Sequence, residues 1–297
     1  MDLSVVYVNY QSLDLIKESI LSFKKNASGL EYEIIVVNND AEIYQKELDD
    51  DEIILLQNER NKGFGAGCNL GAKQAKGDYL LFLNPDTLIV DASVASLLVF
   101  LKKHPEVGAL APLLYQKDGV TLQRHFFSDF MSLGKITFRR HRKSPLDSHC
   151  EPSALRGRGN PSTSSGQVLF VKTEIAASMT PRNDITERDY FYAQMVSGAA
   201  MMIKKANFDK VGGFDENFFM YLEDDDLCRR LNNIKLKNAV LCTAKIIHLE
   251  ESGNTDSQKR RMYYQSQNYY FQKHFGVFTA LLMRLLRLPY KILKLNS

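Results

Sequence analysis

Residues 58–87 read NERNKGFGAGCNLGAKQAKGDYLLFLNPDT, in which a glycine-rich loop leads into a helix and then into a strand. The glycines let the backbone approach a ligand closely, and the small residues at 66–76 predict a helix that packs tightly. The apolar run Tyr79–Leu83 predicts a strand buried on both faces of a mainly parallel sheet. Because proline cannot continue the sheet, this strand ends at residues 84–86 and delivers Asp86 to its carboxyl end, where open α/β sheets bind ligands.

The same residues also have a plainer interpretation, a glycine turn followed by an ordinary β-turn. A resemblance favours the ligand-binding interpretation. Residues 63–87, GFGAGCNLGAKQAKGDYLLFLNPDT, resemble the N-terminal signature of the family two inverting glycosyltransferases, particularly the rhamnosyltransferase-like members that build bacterial surface polysaccharides. This resemblance implies an α/β protein with the GT-A fold, a mixed, mainly parallel and Rossmann-like sheet flanked by helices.

In that family the carboxylate at the end of this strand belongs to the DxD motif and holds a divalent metal on the donor diphosphate. Here the motif reads NPD, with one carboxylate instead of two, a form common in the rhamnosyltransferase-like branch. The resemblance implies that Asp86 is a ligand of Mg²⁺ or Mn²⁺. It also implies a nucleotide-sugar site, for a UDP- or dTDP-linked donor, formed by Asn9, Asn38, Gly63, Asn69, Asn84 and Asp86.

Two earlier strands also end in asparagine. Residues 3–8 and 32–37 are apolar and stop at Asn9 and Asn38, and with a third strand at 53–57 they complete a nucleotide-binding half. Family members usually carry an aspartate in place of Asn38, where it accepts a hydrogen bond from the N3 imide of uracil or thymine. Asparagine can accept that bond through its amide oxygen, and turn formation is the alternative role for Asn38.

A second signature follows at residues 205–231, which read KANFDKVGGFDENFFMYLEDDDLCRRL. It closely matches the second signature of the same glycosyltransferases, and two signatures in the right order are more specific than one. A helix is predicted to begin at Glu223, where its dipole tolerates four carboxylates; Glu223 and Asp226 share a face while Asp224 points elsewhere. The resemblance implies that Asp224 is the catalytic base and Glu223 its reserve. An acidic helix cap is the alternative, and it explains only one or two of the four.

The predicted strand at 239–247 ends at His248. A lone histidine there is usually an ordinary surface or core residue. In the resembled family a histidine about one strand beyond the carboxylate motif often completes the metal site. The resemblance therefore implies that His248 binds the metal together with Asp86 and the two donor phosphates.

The domain organisation expected from the sequence is a glycosyltransferase domain at 1–255, with a variable insertion at about 117–190, and a helical segment at 256–297. Four basic residues of this segment fall on one narrow helical arc with leucines opposite them: Arg284, Arg287, Lys291 and Lys294. This pattern is typical of a helix that binds an anionic membrane surface. Docking on the domain core, or on a second subunit as a homodimer, is the alternative.

The composition is that of an ordinary folded protein, with 297 residues, 44% hydrophobic and 25% charged. A formal charge of +3 is too small to indicate nucleic-acid binding. The four cysteines lack metal-type spacing, and no signal peptide or apolar run of ~20 residues is evident. We therefore expect reduced cysteines in a cytoplasmic protein that works free in solution or at the inner face of the cell membrane.

The resemblance therefore implies inverting transfer of a sugar, rhamnose or another hexose, onto a hydroxyl of a lipid-linked or polymeric surface glycan. A sugar nucleotidyltransferase is one alternative, but it requires a basic glycine-rich loop after the first strand, and residues 9–12, NYQS, provide none. An inactive, transferase-like glycan-binding module is another. The presence of Asp86, Asp224 and His248 together argues against that module.

Overall fold

The computed structural model of the protein describes residues 1–42, 48, 52–123, 127–131, 189–250 and 255–295. Most of the insertion expected at 117–190 therefore lies outside the described residues. Within them, one large sheet forms the centre of the molecule, and its strands come from both halves of the chain. The fold is thus built from the two signature regions together.

The strands of the described residues are numbered in chain order. They are β1 (Leu3–Asn9), β2 (Tyr32–Asn38), β3 (Ile53–Gln57), β4 (Tyr79–Leu83), β5 (Thr87–Ile89), β6 (Val107–Tyr115), β7 (Phe127–Ser128), β8 (Tyr190–Ala193), β9 (Met195–Val196), β10 (Ala200–Lys204) and β11 (Lys237–His248). The large sheet has the order β3-β2-β1-β4-β10-β6-β11-β5, with β8 paired to β11, and β7 pairs with β9 separately.

Four neighbouring strands, β3, β2, β1 and β4, run parallel, while β10 enters antiparallel between β4 and β6. The apolar strands β1 and β4 are buried along their whole length, as expected where helices cover both faces of a parallel sheet. This arrangement confirms the mixed, mainly parallel α/β sheet that the sequence predicted.

Seven helices are described, also numbered in chain order. They are α1 (Leu13–Asn26), α2 (Phe64–Gln74), α3 (Ser93–Lys103), α4 (Lys205–Lys210), α5 (Glu223–Asn233), α6 (Asp256–Phe275) and α7 (Val277–Leu295). Helix α2 lies directly on the sheet, because a Cβ atom added at Gly71 would be 2.5 Å from Cγ1 of Val6. Its small residues are therefore required by close packing.

Three local features depend on contacts that the sequence pattern does not show. Residues 195–204 do not form one strand, because Ser197 and Gly198 divide them into β9 and β10, which belong to different sheets. Helix α3 has Ala92 at its N-cap, and Asp91 Oδ1 accepts a hydrogen bond from the Ser93 N–H at 2.9 Å. The C-terminal segment forms two helices, divided at Gly276 with φ +85°.

The expectation of reduced cysteines is met at Cys68 and Cys228 but not at Cys242. Cys68 and Cys228 are buried free thiols. Cys242 is disulfide-bonded, and its partner is not among the described residues. Sequence spacing carries no information on this point, because disulfide formation depends on which sulfurs the fold brings together.

Candidate active site

The carboxyl ends of β1 and β2 meet at one edge of the sheet. Asn9 and Asn38 are in register, and Asn9 Nδ2 donates to Asn38 Oδ1 at 2.8 Å and to Asp40 Oδ2 at 2.9 Å. The carboxylate of Asp40 also accepts from the Gln11 N–H. Asp40 was not singled out from the sequence, although an acid two residues after Asn38 was a visible signal.

The side-chain amide of Asn38 is fully engaged within the protein. Its oxygen accepts from Asn9 and from the Asp40 N–H at 3.2 Å, and its nitrogen donates to Gln57 Oε1 at 2.8 Å and to the Glu42 carbonyl at 2.6 Å. Both donors and both acceptor sites of the amide are therefore used. Hydrogen bonding of Asn38 to a nucleotide base, which would displace one of these partners, stays a prediction.

Gly63 joins the two sequence signatures. It has φ +100°, and a Cβ atom at this position would lie 2.0 Å from the carbonyl oxygen of Phe219. The next residue, Phe64, donates its N–H to that same carbonyl at 3.1 Å. The start of α2 therefore lies directly against the loop that precedes α5, a contact that only glycine permits at residue 63.

His248 lies beside the NPD motif because β11 pairs antiparallel with β5, which places His248 opposite Thr87. Its Nε2 atom is 3.3 Å from Asp86 Oδ1 and 3.3 Å from Asn84 Nδ2. The other ring nitrogen, Nδ1, is 3.0 Å from Oε1 of Gln123, whose Nε2 donates to the His248 carbonyl at 2.7 Å. Gln123 orients the ring, and nothing in the sequence marked it.

The Asp86–His248 pair fits the requirements of a hard divalent cation. Two ligands at about 2.1 Å from one octahedral ion are about 3 Å apart when they occupy adjacent positions, which is close to the 3.3 Å observed. Within the described residues no group of three or more His, Cys, Asp and Glu side chains could hold a metal. These two residues would therefore hold a cation only with further oxygen ligands, such as those of a diphosphate.

Glu223, the first residue of α5, is buried against the start of α2. A Cβ atom at Gly65 would be 3.7 Å from the Glu223 Cβ, and Oε2 of Glu223 has no hydrogen-bond partner within the described part of the chain. Burial, with the adjacent Asp224 charge as a second cause, raises the pKa of Glu223 to about 8. At neutral pH this carboxyl group is therefore predominantly protonated.

Asp224 is half-buried and held in one orientation. Its Oδ2 accepts from the Gly198 N–H at 3.0 Å and its Oδ1 accepts from the Asp225 N–H at 2.9 Å. Burial raises the pKa of Asp224, although these N–H donors act in the opposite direction. A carboxylate with a raised pKa is a stronger proton acceptor than an ordinary aspartate.

Asp225 and Asp226 fasten α5 to α6. The Tyr270 hydroxyl donates to Asp225. Asp226 Oδ1 lies 2.6 Å from Lys273 Nζ and 2.8 Å from His274 Nε2, and Arg230 Nε donates to its Oδ2 at 2.8 Å. Glu223 and Asp226, which helical spacing placed on one face, thus contact different elements. Of the four acidic residues, Glu223 and Asp224 lie at the candidate site. Asp225 and Asp226 hold α5 against α6, and we call their contacts with Tyr270, Lys273 and His274 the helix seam.

The side chain of Asn69 contacts the loop that precedes α5. Its amide donates to the Phe214 carbonyl and accepts from the Phe214 N–H, both at 2.8 Å, which pins α2 to the loop before α5. Asn69 also lines a cavity of about 390 Å³ beside Arg230 and Lys273, and none of Asp86, Asp224 and His248 lines that cavity. Donor binding by Asn69 stays a prediction.

Comparison with known proteins identifies the protein family to which the chain belongs. The model of glycosyl transferase family 2 matches residues 4–158, more than half of the chain. A second family model, described as the N-terminal domain of galactosyltransferase, matches residues 179–252. The chain belongs to glycosyl transferase family 2, which confirms the membership that the two signatures implied.

Its relatives include several transferases of surface glycans. The chain is 26% identical over 205 residues to an N-acetylglucosaminyl-diphospho-decaprenol L-rhamnosyltransferase of Mycobacterium tuberculosis, covering 65% of this chain and 58% of that protein. It is 28% identical over 240 residues to the rhamnosyltransferase WbbL of Escherichia coli, covering 77% and 76%. The chain thus spans a little under three fifths of the mycobacterial relative.

Solved structures share the fold. GalNAc-T7 with UDP, GalNAc and Mn²⁺ matches with a TM-score of 0.56 and 14% identity, covering 91% of this chain and 50% of that chain. The S. aureus TarS fragment in complex with UDP matches with a TM-score of 0.51 and 14% identity, covering 92% and 72%. At these identities the likeness shows the fold, which is GT-A as expected.

Proposed function

We propose that the protein transfers a hexose, such as rhamnose, from a UDP- or dTDP-linked donor to a hydroxyl of a lipid-linked or polymeric surface glycan, with inversion. One observation carries this proposal. Gly198 donates its N–H to Asp224, and the carbonyl of the next residue, Ala199, accepts from the Asn84 N–H at 2.8 Å. This short link holds the candidate base beside the NPD motif, where a donor diphosphate would bind.

The names of relatives support the donor and the acceptor. The mycobacterial relative is an L-rhamnosyltransferase acting on an N-acetylglucosaminyl diphospho-lipid, and the two solved structures of the same fold contain UDP. A donor of the nucleoside diphosphate class also suits the carboxyl ends of β1 and β2, because open α/β sheets bind ligands at this edge.

For the metal, we propose Mg²⁺ or Mn²⁺ held by Asp86 and His248 with the donor phosphates. Bound there, the cation would neutralise the charge of the departing nucleoside diphosphate. Asp86 supplies the carboxylate oxygen, and the Gln123 contact directs the His248 ring towards it. Asn84 Nδ2, 3.3 Å from the same ring, is positioned to donate to a phosphate oxygen.

Asp224 acts as the base in this proposal. The acceptor hydroxyl oxygen bonds to the anomeric carbon, its proton passes to the Asp224 carboxylate, and the bond from that carbon to the diphosphate oxygen breaks. Attack from the face opposite the leaving group inverts the configuration. Glu223, protonated and buried, adds no second negative charge beside the base. The Gly198 and Asp225 N–H groups keep the Asp224 carboxylate in place.

The test is a transfer assay with purified protein, Mn²⁺, a panel of UDP- and dTDP-linked hexoses and a soluble analogue of lipid-linked N-acetylglucosamine. We expect one donor to yield a glycosylated product whose new anomeric configuration, read by NMR, is opposite to that of the donor. Retained configuration would contradict the inverting mechanism. Donor binding without transfer or donor hydrolysis would favour an inactive binding module, and sugar-nucleotide synthesis from a triphosphate would favour the nucleotidyltransferase.

A further inference from the structure

The exposed face of α7 carries six of the fourteen exposed large apolar side chains of the described residues. Each of its large apolar side chains from 277 to 286, apart from Met283, is at least 47% exposed. These residues are Val277, Phe278, Leu281, Leu282, Leu285 and Leu286. We call this set the α7 apolar face. Contiguous apolar surface of this kind is uncommon on a monomer and marks an interaction site.

The other side of the same helix is docked on the protein. Ala280 and Met283 are 6% and 1% exposed and pack with Phe271 of α6. At about 100° per residue, Phe278, Leu282 and Leu285 fall within an arc of about 60°, and Ala280 and Met283 fall on the opposite side. The α7 apolar face therefore points away from the body that anchors the helix.

The positive charge of the C-terminal segment favours an anionic bilayer over a second copy of the chain as the partner of the α7 apolar face. From Ser257 to Ser297 the sequence contains eight basic residues and no Asp or Glu. Lys273 is paired with Asp215 and Asp226, and the other seven are Lys259, Arg260, Arg261, Arg284, Arg287, Lys291 and Lys294. Two copies meeting through this segment would bring like charges together. A bilayer with anionic headgroups offers the opposite charge, at about 1 kcal/mol of attraction per basic residue near the surface.

We propose that α7 lies in the plane of an anionic bilayer, with the α7 apolar face at the boundary between headgroups and acyl chains. Arg284, exposed beside that face, reaches the headgroups, since long basic side chains extend from apolar surface to polar surroundings. None of the helices in the described ranges has the length and apolarity needed to cross a membrane. The proposed contact is with the bilayer surface, and it goes beyond the proposed transfer reaction.

A series of packing contacts and hydrogen bonds connects α7, the helix proposed to bind the bilayer, with the candidate active site. Helix α7 packs on α6, and α6 is held to the start of α5 through Tyr270 with Asp225 and through Lys273 with Asp226. Asp224 is the neighbouring residue on α5. A bilayer bound by α7 would thus hold the cleft in a set position relative to the surface that carries a lipid-linked acceptor.

The experiment measures co-sedimentation of the full chain with vesicles of phosphatidylcholine alone and with about 30 mol% phosphatidylglycerol. We expect binding to the anionic vesicles, weakened by raised salt, and at least about a tenfold lower partition coefficient for the triple variant Phe278→Ser, Leu282→Ser, Leu285→Ser. The matched control is Leu21→Ser, which removes a leucine that is 68% exposed on α1. It should bind vesicles as the unmodified protein does.

Three outcomes would overturn the proposal. The unmodified protein could fail to sediment with anionic vesicles, or the triple variant could sediment as well as the control. Alternatively, light scattering could show a dimer that the triple variant converts to a monomer without any vesicle binding, which would assign the face to a second copy. Unchanged far-UV circular dichroism and unchanged transfer to a soluble acceptor would show that the triple variant is folded, and they separate this test from that of the proposed function.

Discussion

The sheet edge at Asn9 and Asn38 and the start of α5 at Glu223 both contain several polar side chains, but the partners of these side chains differ. At the sheet edge, Asn9, Asn38 and Asp40 hydrogen-bond to one another across strands and bring amide donors together. At the start of α5, basic and hydroxyl groups of α6 compensate Asp225 and Asp226, whereas Glu223 receives no such partner. The comparison indicates that the surroundings of a carboxylate, more than its residue type, decide whether it holds two helices together or is left for the proposed chemistry.

The most severe test of the sheet edge is Asp86→Ala. It removes the carboxylate of the candidate metal pair, so we expect no measurable transfer and loss of the metal-dependent part of donor binding. Initial rates and calorimetric donor titrations with and without Mn²⁺ measure both effects. Asp209→Ala, which removes an exposed carboxylate paired with Lys205, is the control. Full activity of the unmodified protein in excess EDTA would refute the metal role.

At the start of α5, Asp224→Asn keeps the shape of the base but removes its ability to accept a proton. We expect kcat to fall roughly 10²–10⁴-fold with donor affinity nearly unchanged. The paired variant Glu223→Gln should lose much less, since the buried carboxyl group is already protonated. Rates against donor concentration, at one acceptor concentration, compare the two. A nearly unchanged kcat for Asp224→Asn would move the base to Glu223 or outside this motif.

The helix seam predicts an effect on stability. Burial would raise the pKa of Asp226, but His274, Lys273 and Arg230 outweigh it and hold the pKa below its usual range. Asp226→Asn removes the counter-charge of Arg230 and one of the two carboxylates that pair with Lys273, which should lower the free energy of unfolding by roughly 3 kcal/mol.

The exposed pair Lys205–Asp209 is the matched comparison for this seam, and Asp209→Asn should change stability by less than about 0.5 kcal/mol. Urea unfolding at neutral pH measures both variants. The contribution of Asp226 should also be present above the ordinary aspartate pKa and be lost as the pH falls through its depressed value. Equal effects of the two variants would show that the seam is no stronger than a surface pair.

The last prediction concerns the pH dependence of stability at Glu223. Its pKa is raised from 4.5 to about 8, so between these values the folded state binds one proton more than the unfolded state. Its contribution to stability is therefore complete at low pH and is lost as the pH rises towards 8. Glu223→Gln lacks this dependence. We expect the Tm difference between variant and unmodified protein to shift by a few degrees in favour of the variant from about pH 5 to about pH 8. A constant difference would contradict a protonated Glu223.

Much of the first half was predictable because its signals are local. The buried strands β1, β2 and β4 are continuous apolar runs, and Asn9, Asn38 and Asp86 follow them at points where turn residues stop the strand. Parallel strands carry such ends to one edge whatever the rest of the chain does. The position of Asp86 at that edge therefore followed from the pattern of residues 79–86.

The sequence by itself determined the succession of strands and helices in the first half of the chain, the tightly packed helix α2 and the start of α5 at Glu223. Each of these depends on residues that are close together in the chain. Only the tertiary structure decided the division of residues 195–204 at Gly198, the use of Asn69 as a pin for Phe214, and the His248–Gln123 contact. These features join residues distant in sequence, so their energy comes from the packing of separate elements. For the same physical reason, the acidic run at 223–226 acquired its two roles only once α2 and α6 lay on either side of α5.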